Sequence, residues 1–221
     1  MKEEYSSSLS LKRIIISLLV FCAIPPFAMA LNRFADNKVL SNMFAINLAG
    51  MILIIYDWNL FGIHYNRAKH HLKETVLWSL LGIAVIGVWA YLAYRFVPFV
   101  QVLPDYTQIA SYRFAWPAVI LAYSYVQAAI INICFKCLTD HINVHSREAA
   151  VILLSGFLFG LFYTAVHVSL HMEVWIPAYF YNVVLIAFMA YLYNQSHSFV
   201  PAIISMGTVY LILQILSIAA L

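Results

Sequence analysis

The chain has 221 residues, of which 64% are hydrophobic and 10% charged, and its net charge is +3. An average soluble domain is about 25% charged, so a water-soluble core is excluded. A bilayer accommodates such a chain because every spanning helix satisfies its own backbone hydrogen bonds. The small positive balance gives no basis for nucleic-acid binding. The expected fold is all-α: a polytopic bundle of about seven transmembrane helices, with the lipid bilayer as its surroundings.

Apolar runs of about 20 residues fall at 14–31, 39–63, 75–97, 114–135, 149–170, 174–193 and 199–221. Tyr56, Trp58, Trp78, Tyr94, Tyr112, Trp116, Trp175, Tyr191 and Tyr193 crowd their ends, as an interfacial aromatic belt does. Before the first run stand Lys12 and Arg13, and Ala28-Met29-Ala30 resembles a signal-peptidase site. Multi-span proteins rarely need a removable signal, so the run is read as an uncleaved span broken at Pro25-Pro26. In the second run Asp57 lies near the end, beside Trp58 and Asn59, and is expected in the headgroup region. Cys22, Cys134 and Cys137 follow no zinc or disulfide spacing and read as small apolar residues.

Orientation follows from Lys and Arg. With the N-terminus inside, Lys2, Lys12, Arg13, Arg67, Lys69, Lys73, Lys136 and Arg147 are cytoplasmic, against Arg33, Lys38, Arg95 and Arg113 outside. The N-terminus is expected to be cytoplasmic and the C-terminus external.

Intramembrane polar groups are costly and therefore informative. The fourth run carries Tyr123, Ser124, Gln127 and Asn132. In the fifth, Gly156 and Gly160 form a G-x-x-x-G pair that lets two helix backbones approach closely. Tyr163, Thr164, His167 and His171 continue that face at helical spacing, which points His167 into the bundle. His167 and His171 have the i, i+4 spacing of zinc ligands, but Val168 stands where the metalloprotease helix needs Glu and Glu173 lies beyond the helix end. No metal or cofactor site is therefore expected. His70-His71 and the pair His141 and His145 read as solvated loop residues. In the seventh run Met206, Tyr210, Gln214 and Ser217 repeat on one face, which reads most simply as interhelical hydrogen bonding.

"FGLFYTAVH", ending at His167, and "YLYNQSHSFVPAIISMGTVY", from Tyr191 to Tyr210, resemble the CAAX-protease and bacteriocin-processing family of intramembrane proteases (CPBP, or Abi). The resemblance covers roughly 110–215 and implies two parts: N-terminal transmembrane helices over 1–110 and a four-helix core over 111–221. The family pattern is E-E-x-x-x-R, then F-x-x-x-H about forty residues on, then a closing H-x-x-x-N or H-x-x-x-D. Here Gln127 and Ala128 stand at the paired glutamates, Asn132 at the arginine, Tyr163 at the phenylalanine, Met206 at the last histidine and Tyr210 at the final Asn or Asp. Only His167 keeps the family residue.

Hydrolysis needs a base for water and donors for the oxyanion. Gln127 cannot take a proton as a carboxylate does, Ala128 offers nothing and Met206 cannot donate. The resemblance thus implies a protease-like bundle without catalysis. It would act by binding a membrane partner, another membrane protein or a hydrophobic peptide, in bacteriocin immunity or processing or as a signalling regulator. The implied setting is the prokaryotic plasma membrane. Gln127, His167, Met206 and Tyr210 are then expected to meet in one pocket, with Gln127 bonding His167. Two alternatives stay open. An active intramembrane endopeptidase would need a carboxylate from Asp57, Glu148 or Glu173, and a small transporter would need a continuous polar path.

Overall fold

The computed structural model describes residues 11–97, 116–143, 148–167 and 172–219; the side chains of residues 137, 138, 140–143 and 167 lie outside that description. The described chain is all helix: α1 (Leu11–Ala35), α2 (Lys38–Tyr56), α3 (Trp58–His70), α4 (Leu72–Phe96), α5 (Trp116–Leu121), α6 (Gln127–Asn143), α7 (Glu148–His167), α8 (Met172–Ser196) and α9 (Val200–Ala219). Between α5 and α6, Ala122–Val126 forms a π turn, in which the Gln127 N–H reaches the Ala122 carbonyl. This keeps α5 and α6 a single rod. Seven stretches are long and apolar enough to cross a membrane, the rod Trp116–Lys136 among them; α3 is not one of them. The protein is a multi-pass membrane helical bundle.

Two expectations about the first spans need correction. Pro25 and Pro26 do not break α1, which runs on to Ala35; neighbouring helices in a bundle satisfy the backbone groups that proline frees. It ends where Asp36 takes a positive φ of 44°, and the Asn37 side chain then caps α2 by accepting the Leu40 N–H at 3.1 Å. The run 39–63 is not one span. The chain turns at Asp57 (φ −105°, ψ 25°), and α3 starts immediately after it. Leu60, His64 and Ala68 face inward from α3, whereas Trp58 and Tyr65 are exposed, so this short helix lies on the bundle's edge rather than through it.

Alternating crossings bring the start of α1, the Asp57 corner, α3, the ends of α6 and α8 and the starts of α4, α7 and α9 to one end of the bundle. Direct bonds fasten that end. The Ser198 hydroxyl donates to the His64 carbonyl at 3.1 Å, and Arg67 donates to the His197 carbonyl at 3.2 Å.

The core is built around α6, which packs against α1, α2, α7, α8 and α9. Every residue from Ile130 to Lys136 is buried. The N-terminal helices are part of this core, since α1 stacks Phe21 on Phe162 of α7 with ring centroids 5.6 Å apart. On α7, Gly156 and Gly160 face α8. A Cβ on Gly156 would lie 2.7 Å from the Ala187 Cβ, and one on Gly160 would lie 3.0 Å from a Val183 methyl. Leu19, Phe44, Met51, Val184 and Ile212 are exposed on the outer surface, where water would be a poor solvent and acyl chains a good one.

Candidate functional site

Two polar centres interrupt the apolar interior. The first lies where α6, α7 and α9 meet. The regular 3.6-residue period after the π turn sets Gln127 toward α7, and its amide donates to the Tyr163 hydroxyl at 3.3 Å. Four to five residues on, Asn132 is fully buried. Its amide donates to the Ala128 carbonyl of its own helix at 2.8 Å and lies 3.7 Å from the Met189 sulfur and 4.0 Å from the Met206 sulfur. The phenols of Tyr181 and Tyr210 lie within electrostatic reach of Tyr163. Phe21 closes the α1 side, 5.7 Å from the Tyr163 ring.

Of the residues singled out by the sequence, Gln127 and Tyr163 are therefore joined, Asn132 meets Met206, and Tyr210 lies near Tyr163. Ala128 is fully buried and serves as the backbone acceptor. His167 ends α7, and its side chain, like all of His171, falls outside the described residues. The amide of Gln127, expected to serve His167, is engaged by Tyr163.

The carboxylates named as substitutes for the missing glutamates are occupied elsewhere. Glu148 accepts a hydrogen bond from Gln195 at 2.8 Å on the surface, Glu173 is exposed in the first turn of α8, and Asp57 belongs to the second centre. Among the described residues no three of His, Cys, Asp and Glu come together as metal ligands would. The lining of the first centre is amide, phenol and thioether, which can hydrogen-bond or pack but cannot exchange a proton at neutral pH.

No protein-family model matches the chain, and neither do curated proteins or solved structures. Function must therefore be argued from geometry.

The second centre was not expected. Asp57, assigned from the sequence to the headgroup region, is fully buried. The Ser17 hydroxyl donates to its Oδ2 at 3.2 Å, and the Arg13 Nε lies 3.5 Å from its Oδ1. Cys134 ties α6 to this point through a 3.5 Å contact with the Ser17 carbonyl. Lys136, counted from the sequence among the loop cations, is 1% exposed, and its Nζ sits 5.3 Å from the Tyr193 ring centre, a cation–π arrangement. His64 is equally buried, packed 4.3 Å from Phe199 and 5.8 Å from Tyr193.

Burial raises the Asp57 carboxyl above its ordinary range, while the Ser17 hydroxyl and the Arg13 and Lys136 charges pull it back. His64 is pushed down to about 2, first by burial and then by the Lys136 and Arg67 cations, so it is a neutral imidazole. Removing the Asp57 corner from water costs free energy that only its partners recover. The arrangement consequently pins α1, the α2–α3 corner and α6 in one geometry. Its only sequence signal is a lone carboxylate between two apolar stretches.

Proposed function

We propose that this protein is a non-catalytic relative of the CPBP intramembrane proteases that works by binding a membrane partner, another membrane protein or a hydrophobic peptide. In this reading it serves bacteriocin immunity or processing, or signalling control, in a prokaryotic plasma membrane. The observation that carries the reading is the Gln127–Tyr163 hydrogen bond of 3.3 Å. It joins the positions where that family keeps a catalytic carboxylate and its motif phenylalanine, and the pair is neutral and mutually satisfied. The approach of Met206 to Asn132 is in keeping with the same helix order, α6 against α7 and α9. The described carboxylates engaged elsewhere leave this centre without the base that hydrolysis needs. A polar but uncharged seam in an otherwise apolar bundle suits recognition of a polar group on another helix.

The test has two arms. Purified protein in lipid nanodiscs, incubated with hydrophobic and prenylated CAAX peptides, is expected to give no cleavage. Cleavage that vanishes with His167→Ala while the protein stays folded overturns the proposal. In cells, a photo-crosslinking phenylalanine analogue at Tyr210 is expected to capture one discrete membrane protein or peptide, and the same analogue at lipid-facing Met51 is not. Identical adducts from both positions would refute binding at the seam.

A further inference from the structure

Beside α3 the surface is grooved. Trp58, Phe61, Gly62 and Tyr65 form one wall, and Ile203 and Ile204 of α9 stand on the other, around a cavity of about 350 Å³ with almost no polar lining. That is the small end of ligand pockets, roughly 300–1,000 Å³. Two features of α3 indicate what fills it. First, the helix has the composition of one lying in a membrane interface. It begins with an exposed Trp58, contains no Asp or Glu, and ends in Arg67, Lys69 and His70. Second, the spacing from Trp58 through Gly62 and Tyr65 to Lys69 keeps to one helical line, so the apolar groove runs toward an exposed ammonium group. Lys73 follows at the start of α4, again at the same end of the bundle.

We infer that this groove is a binding site for an anionic phospholipid, with one acyl chain between α3 and α9 and the headgroup at Lys69. A peptide segment is the poorer occupant, because its backbone N–H and C=O groups would find almost no polar partner along these walls and would be buried unsatisfied. An acyl chain carries no such groups. Trp58 and Tyr65, both exposed, supply the amphipathic rings favoured at headgroup depth.

Gly62 makes the inference testable without harming the fold. A Cβ there would meet nothing within 4 Å, so Gly62→Leu fills the groove with no clash; Ile204→Trp blocks it from the α9 side. Full-length protein is equilibrated with vesicles of equal phosphatidylglycerol and phosphatidylcholine, extracted in mild detergent and weighed by native mass spectrometry. Wild type is expected to retain one phosphatidylglycerol in preference to phosphatidylcholine. Lys69→Gln is expected to lower that preference about fivefold, the effect of one basic residue near an anionic headgroup. Both blocked variants are expected to lose the retained lipid while melting at the wild-type temperature. Equal retention of the two lipids, retention undiminished in both blocked variants, a bound polypeptide in place of lipid, or no bound lipid at all overturns the inference.

Discussion

Acid should weaken this protein through His64, and the size of the effect can be worked out. A solvated imidazole has a pKa of about 6.5, whereas the buried His64 is pushed down to about 2. Below pH 6.5 the unfolded chain takes up a proton that the folded chain refuses. This contribution to stability is therefore complete above pH 6.5 and is lost as the pH falls. The slope approaches about 1.36 kcal/mol per pH unit, so at pH 5.0 the loss is about 2 kcal/mol. For a chain of this size that corresponds to a melting shift of roughly 4–8 °C. The groups facing His64 are Lys136 from α6, Arg67 on its own helix, Tyr193 from α8 and Phe199. Asp57 acts in the opposite sense: its carboxyl is raised, so the folded state gains a proton more readily and is favoured as the pH falls. His64→Phe keeps an aromatic ring between Tyr193 and Phe199 and removes only the proton site. Thermal melts of wild type and variant in the same detergent, at pH 7.5 and 5.0, isolate the histidine because Asp57 is common to both. An acid shift of the same size in His64→Phe would refute the reasoning.

Three further outcomes are expected. Gly160→Leu should overpack the α7–α8 contact and destabilise by ~1–3 kcal/mol, seen as a lower melting temperature, whereas Gly62→Leu should not. Asp57→Ala should cost ~2–3 kcal/mol, somewhat less than a fully buried pair because the Arg13 side chain is 33% exposed; Arg13→Ala should cost less than Asp57→Ala in the same denaturation assay. A reporter fused after Leu221 should behave as external, since Lys12, Arg13, Arg67, Lys69, Lys73 and Lys136 gather at the α3 end against Arg33, Lys38 and Arg95 at the other; a cytoplasmic signal would reverse the orientation.

How far the sequence could be read depended on whether the signal was local. Span positions were legible because apolar length is a local property, and the approach of Gly156 and Gly160 to α8 could be expected from a four-residue spacing. The boundary at Asp57 was hidden because Tyr56, Trp58, Leu60 and Phe61 keep the stretch apolar across the corner. The inward line of Leu60, His64 and Ala68 was the available sign that α3 is a separate helix. The Asp57 centre was not legible, because Ser17 and Asp57 are 40 residues apart and each charge, taken alone, resembles a residue at a membrane boundary. Gln127 was correctly singled out, but its partner was not: Tyr163, 36 residues away, could be assigned only once α6 and α7 were packed.

The π turn at Ala122–Val126 bears on how this rod tolerates change in length. Such a turn holds one residue more than the regular helix, and one residue is worth about 100° of rotation. Removing a single residue here would let the helix close into ordinary α geometry without breaking the rod. The half before the turn and the half carrying Gln127 and Asn132 would then be out of angular phase by more than a quarter-turn. Val119, now fully buried, and Gln127, now bonded to Tyr163, could not both keep their directions. Such a deletion would leave span length and hydropathy almost untouched, yet it would uncouple the two ends of the helix at the heart of the bundle.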